Sequence, residues 1–327
     1  MLDTDTFLTT LYVMCDDLCK TRFSPETSAN HQPHLRPRMG RPVSLTRSEV
    51  LTLSLFGAWG RFASERDFWR WAMRNGKAAF PALPERSTFH RLRRAAWPEL
   101  LRLFEALSEQ ALSQEISEML YQVMDTTALV TRNFKRRGRS WLEGIANLGY
   151  CSREGWFCGL RVLLCVSPRG VITGFGLSHG SCKDQPLADS FLAARAHNDP
   201  HDQARLPVGA PSSVPYLADS GFSGKANHKR WCQEYGAPVC AVPQRVKKSD
   251  PHPWPQAWRR QHAAWRQIIE SVNDKLLHTF GLDTERPHSL EGAQVRLLAR
   301  CALHNFCLLL NRKHGRPDLQ FADLWNW

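Results

Sequence analysis

No stretch of the sequence approaches the roughly 18 consecutive apolar residues of a membrane-spanning helix, so a bilayer span is not expected. The opening Met1-Leu2-Asp3-Thr4-Asp5 is acidic where a secretory signal would be basic and then apolar. Ten cysteines are present, but none forms a CxxC pair and their spacing suggests no disulfide framework. These absences point to a reduced, cytoplasmic protein whose thiols are mostly buried. Cys301, His304 and Cys307 recur at every third position of an apolar helical pattern, where packing is the expected role rather than metal binding. No internal repeat is visible.

Acidic charge is the other scarcity. Lys and Arg number 43 against 31 Asp and Glu, a formal charge of +12. Such an excess suits a polyanion, of which nucleic acid is the commonest. It is also localised. Between Lys20 and Arg102 there are 16 basic and 6 acidic residues, and a second cluster runs Lys135-Arg136-Arg137-Gly138-Arg139. The 327-residue chain exceeds the usual single-domain size, and 43% hydrophobic residues are enough for a sizeable core.

The first part reads as helices. Phe7, Leu8, Leu11, Val13 and Met14 form an apolar stripe, and a Pro- and His-rich arm spans Pro25 to Pro42. Thr46 and Glu49 make a capping-box pattern. Ser64 opens a second helix, and Ser87 a third through Phe89 to Trp97, with Pro98 beyond. Three short helices ending in a basic one fit a helix-turn-helix-like module, or equally a plain bundle with a solvated basic face. Arg91, Arg93 and Arg94 are its candidate duplex contacts.

The pattern changes near residue 120. Tyr121 to Asp125 reads as a short strand ending in an acid. Trp156 to Val166 and Val171 to Leu177 read as a hairpin, and Asp184 to Ala196 as a helix. Val214 to Asp219 is another strand ending in an acid. Lys225 to Tyr235 reads as a helix, Pro238 to Val242 as a strand, Trp258 to Phe280 as a helix around Glu270, and Leu290 to Leu310 as a closing helix. This is a mixed α/β grammar. The expected division is a helical DNA-binding region over 1–118 and an α/β domain over 119–327.

Acids at strand ends face a common crevice in open α/β sheets, and oxygen donors suit Mg²⁺. Asp125 and Asp219 both fit that description. Glu270 lies among Ile268, Ile269 and Val272, where a lone charge needs a partner. Arg266 and Asn273 share its helix face and are supporting candidates. Each acid also has a plain structural reading, as a turn or cap residue or a surface ion pair.

The segments Val123-Met-Asp125-Thr-Thr, Gly159-Leu-Arg-Val-Leu-Leu, Ala218-Asp219-Ser-Gly-Phe-Ser-Gly and Arg266-x-x-x-Glu270-Ser-Val-Asn273-Asp-Lys275-Leu resemble the DDE transposases of bacterial insertion sequences. The basic, Trp-rich region from Gly40 to Leu100 and the final helix after Arg286-Pro-His288-Ser289 share the resemblance, so it covers most of the chain. It implies an RNase H-like catalytic domain with an all-α N-terminal region. It implies that Asp125, Asp219 and Glu270 hold two divalent ions, Mg²⁺ or Mn²⁺, and that the protein works in the cytoplasm on the nucleoid.

The implied substrates are the element's terminal inverted repeats and target double-stranded DNA, bound as a homo-oligomer. Water cuts one strand, and the 3′-OH then attacks the target by transesterification. Asp184 falls where relatives often carry a further Asp and is read as a supporting residue or a helix N-cap. Lys135, Arg136, Arg137 and Arg139 are candidate phosphate contacts or a solvated loop. Many relatives carry a Tyr and a Lys on the glutamate helix where this chain has Ala263 and Leu277; Lys275 is a possible substitute for the Lys. A metal-dependent nuclease without strand joining, or a DNA-binding regulator without catalysis, are the alternatives.

Overall fold

The computed structural model describes residues 2–22, 44–115, 119–132, 142, 144–197, 214–244, 251–284 and 287–324. The Pro25–Pro42 arm and the Lys135, Arg136, Arg137 and Arg139 cluster lie outside them.

Five helices come first: α1 Thr4–Arg22, α2 Arg47–Phe56, α3 Glu65–Asn75, α4 Arg86–Ala95 and α5 Trp97–Ser113. The capping box at α2 is formed: Thr46 Oγ1 accepts from the Glu49 amide at 3.2 Å, and Glu49 Oε2 accepts from the Thr46 amide at 2.6 Å. Ser64 caps α3 through the Asp67 amide. Ser87 does not cap α4. The first turn already closes from the Phe89 amide onto Glu85 O at 2.9 Å, which places Ser87 inside the helix. Pro98 opens α5 in the first turn, where its missing N–H costs nothing.

A six-stranded sheet follows: β1 Gln122–Arg132, β2 Asn147–Cys151, β3 Gly155–Val166, β4 Ile172–His179, β5 Tyr216–Ala218 and β6 Val239–Ala241. β1, β3 and β4 are antiparallel neighbours, and β2 pairs with the start of β3. β5 and β6 run parallel to β1. The order β4-β3-β1-β5-β6, three antiparallel strands continued by two parallel ones, is RNase H-like. The helices interleaved with it are α6 Asp184–Ala196, α7 Lys225–Tyr235, α8 Gln256–Asp274 with a π turn at Lys275–Thr279, and α9 Leu290–Lys313.

Period-two alternation sorts the strands between two cores. Val123, Leu129, Leu160, Val162, Leu164 and Leu217 join Ile269 and Val272 of α8, the apolar face of α9 and the N-terminal helices. Met124, Leu163, Cys165, Tyr216 and Ala218 join Leu187 and Phe191 of α6 and Trp231 of α7. The first core is continuous across residue 118. The Phe7 ring meets Phe306 at 5.6 Å, and Trp59 meets Phe280 at 5.4 Å. Cys301, His304 and Cys307 are all buried in α9, and the His304 Nε2 bonds to Gly170 O at 2.9 Å. Burial holds the His304 imidazole down at about 4, so it packs as a neutral ring.

Candidate active site

The two core-facing registers decide where each acid goes. Asp125 shares the parity of Val123 and Leu129 and so faces α8. Thr126 shares that of Met124 and so faces α6. β1 does not end at Asp125, as its sequence suggested. The β-branched Thr126, Thr127, Val130 and Thr131 carry the strand on to Arg132, paired with β3. The parallel pairing with β5 stops at Val123 and Leu217, two residues before Asp125. Asp125 therefore stands at the mouth of the β1–β5 crevice, where β5 delivers Asp219 one residue past its end.

Asp219 Oδ1 accepts from the Gly221 amide at 2.8 Å and caps the short turn Ser220–Phe222. That turn is braced on both sides. Gln244 donates to Ser220 O at 2.9 Å, His228 Nε2 bonds to Phe222 O at 2.9 Å, and Gln185 of α6 donates to Ser223 O. Asp184 arrives from the opposite face of the sheet to Asp125. Lys183 holds the N-cap position without a side-chain bond, so Asp184 is not the cap. Its Oδ1 instead accepts from Thr126 Oγ1 at 2.6 Å and from Arg161 at 3.1 Å. A Cβ at Gly221 would overlap Asp184 Oδ2 and lie 3.0 Å from Asp219 Oδ1, so both carboxylates close on this one glycine.

Two guanidinium groups partly balance the acids. Arg266 of α8 reaches Asp125 Oδ2 at 3.4 Å and Arg161 holds Asp184, both pairs largely shielded from solvent. Burial nevertheless pushes the Asp125 carboxyl up to about 7; Arg266 opposes the rise, and the neighbouring Asp219 and Asp184 add to it. The three carboxylates thus share two guanidinium groups, in a setting where burial favours a neutral Asp125.

Glu270 is exposed, one turn beyond Arg266, with no hydrogen bond or ion pair among the described residues. The apolar neighbours do not surround it: Ile269 and Val272 point into the core, as a helix requires of positions i−1 and i+2. Arg266 pairs with Asp125 rather than with Glu270. Asn273, on the same face, has its Oδ1 buried with no hydrogen-bond donor among the described residues. Lys275 Nζ lies 3.6 Å from Asp274 and near enough to His304 to disfavour its protonation, so it is directed toward α9. Ala263 is exposed, and Leu277 is buried. In α4, Arg91 and Arg94 are exposed, whereas Arg93 is buried and bonded to Glu65 at 2.7 Å.

Arg161 and Thr126 are functional candidates that carried no assigned role in the sequence. The signal for Arg161 was present: a single charge inside the strand run Gly159-Leu160-Arg161-Val162-Leu163-Leu164, where a buried guanidinium demands a partner.

Among the described residues no three His, Cys, Asp or Glu side chains are drawn together tightly enough to hold an ion. The chemistry of the donors does fit a hard divalent cation. They are carboxylate oxygens, with a buried Asn273 amide oxygen on the adjoining helix face that has no hydrogen-bond partner among the described residues.

A mixed sheet with carboxylates beside its parallel strands is compatible with metal-dependent phosphodiester chemistry, among others. Residues 120–306, more than half of the chain, match the transposase DDE domain model, and the chain belongs to that family of transposases. No curated protein matches the sequence. Among solved structures it is similar to the Mos1 mariner paired end complex with Mn, at 12% identity over 84% of this chain and 88% of that one, TM-score 0.21. It is also similar to the Mos1 transposase paired-end complex with left transposon end, at 10% identity over 88% of this chain and 100% of that one, TM-score 0.21. The RNase H-like fold is defined by the strand order β4-β3-β1-β5-β6.

Proposed function

We propose that the protein is the transposase of a bacterial insertion sequence. It cleaves the element's terminal inverted repeats and joins the resulting 3′-OH to target double-stranded DNA, acting as a homo-oligomer. The observation that supports this reading is the approach of Asp184 and Asp219 to Gly221, with Asp125 next to the Thr126 that binds Asp184.

Asp125, Asp219 and Glu270 are the residues that would hold two divalent ions, Mg²⁺ or Mn²⁺, with Asp184 and Asn273 in support. Bound there, such ions would neutralise charge on the reacting phosphate and activate the attacking oxygen. Arg266 holds Asp125 in place through its 3.4 Å contact. Thr126 and Arg161 fix Asp184, and the Gly221 amide fixes Asp219. This preorganisation lets an in-line phosphoryl transfer proceed without a covalent protein intermediate. Glu270, exposed and without a partner among the described residues, would complete the set when DNA and cations are present. Residues 1–118 serve as the DNA-gripping region, with Arg91 and Arg94 of α4 as duplex contacts. Lys135, Arg136, Arg137 and Arg139 serve as phosphate contacts.

The test is a joining assay with labelled duplex from the sequence flanking the gene, a target plasmid and Mg²⁺. The expected result is an EDTA-sensitive joined product, abolished by Asp219→Asn. Hydrolysis with no joined product would assign the protein as a nuclease instead. Joining that survives Asp219→Asn would show that the site has been misplaced.

A further inference from the structure

Beside the carboxylates, the β2–β3 hairpin carries an aromatic surface that catalysis leaves unused. Tyr150 and Trp156 are directly opposed across the two strands, with ring centroids 5.5 Å apart and planes at 66°. An edge-to-face pair leaves the π-face of one ring open. Both rings are well exposed, Tyr150 at 58% and Trp156 at 59%, and Leu148 beside them is 50% exposed. Large apolar groups this exposed, clustered on one face, call for an occupant.

The surface is rigid and tied to the acids. A side chain at Gly149 would collide with the Gly180 carbonyl, so β2 lies hard against the end of β4. Asn147 locks the same junction, donating to Ser181 Oγ at 2.8 Å and accepting from the Ser181 amide at 2.7 Å. Arg161 bridges the two features: one nitrogen donates to Tyr150 O at 2.7 Å and the other to Asp184 Oδ1 at 3.1 Å. Tyr150, Trp156, Arg161, Lys183, Asp184 and Gln244 line a single cavity of about 540 Å³, inside the usual range for a bound small group.

We propose that this cavity receives an unstacked base of the DNA strand being processed, held against the Tyr150–Trp156 pair beside the reacting phosphate. Base faces are available for stacking only where a nucleotide has left the duplex, and aromatic rings bind any base in that way. Lys183 supplies positive charge at the same cavity for the accompanying phosphate, while Arg161 offsets the Asp184 carboxylate that also lines it. The proposal rests on the DNA-processing reading above for the identity of the strand.

The test is equilibrium binding of the full-length protein in EDTA, read by fluorescence anisotropy. The probes are oligo(dT) about 12 nucleotides long and an abasic deoxyribose-phosphate chain of the same length. Oligo(dT) should bind about tenfold more tightly than the abasic chain. Trp156→Ala should erase that difference with an unchanged melting temperature, and Trp156→Phe should keep it. Equal affinity for both probes, or oligo(dT) affinity unaltered by Trp156→Ala, overturns the proposal. So does concentration-dependent self-association lost in Trp156→Ala, which would assign the surface to a second copy of the chain. The joining assay is scored separately. Metal-dependent joining without base-dependent binding removes only this inference, whereas base-dependent binding without metal-dependent cleavage removes the functional reading and leaves the cavity assigned.

Discussion

Gly221→Ala is the most searching single change. Gly221 lies in a short helical turn, not in the left-handed region, so an alanine backbone is comfortable there. The conflict is purely with side chains. The new Cβ would overlap Asp184 Oδ2 and sit 3.0 Å from Asp219 Oδ1. Restoring van der Waals separation moves a carboxylate by on the order of 1 Å. Misplacement of that size in a preorganised site costs about 100-fold in rate. Stability should hardly change, because the loss of glycine entropy in the unfolded chain favours alanine by about 0.4–1 kcal/mol and offsets the local adjustment. The measurement pairs thermal melting with the rate of Mg²⁺-dependent strand cleavage. Melting within a few degrees of wild type with about 100-fold slower cleavage is expected. Wild-type cleavage would refute the idea that the Asp184–Asp219 approach positions the reacting groups.

Three further outcomes follow from the arginines and the buried histidine. Arg161→Ala should abolish cleavage, and Arg161→Lys should not restore it, because one ammonium cannot serve both Tyr150 O and Asp184 as the guanidinium does. Glu65 is held down to about 2: burial opposes its ionisation, but Arg93 and Arg296 together outweigh burial. Its contribution is present above its unfolded value of 4.5 and is lost as pH falls toward 2. Denaturant unfolding should therefore lose about 3 kcal/mol across that window, a loss missing in Glu65→Gln. His304, depressed to about 4, should show no imidazole NMR shift on going from pH 7 to 5, and should withdraw stability as pH drops from 6.5 toward 4.

Much of this architecture is legible in the sequence because local signals agree with the fold. The helix over Asp184–Ala196 and the one over Lys225–Tyr235 fall where the pattern places them, and the capping box at Thr46 forms. The failures are tertiary. Asn147-Leu-Gly-Tyr-Cys151 gives no strand signal, since it is short and holds a glycine; its antiparallel pairing with β3 makes it β2, and Gly149 lets it lie against Gly180. Arg93 reads as one of a basic pair, yet Glu65, 28 residues away, turns it inward. Glu270 reads as stranded among apolar neighbours, although helical geometry sends those neighbours the other way. Asp125 reads as a strand terminus, and only the partner strands show that β1 continues past it.

The position of α9 has a consequence for timing. This helix fills the core on which the N-terminal helices, β4 and the π turn all rest, yet it follows every acidic residue of the site in the chain. A nascent chain can therefore carry Asp125, Asp184, Asp219 and Glu270 outside the ribosome while the surface that aligns them has nothing to pack on. Cutting activity should therefore depend on α9 having emerged and packed. Chains stalled before Leu290 should be protease-sensitive and silent, and chains extended through Leu324 should gain resistance and cleavage together.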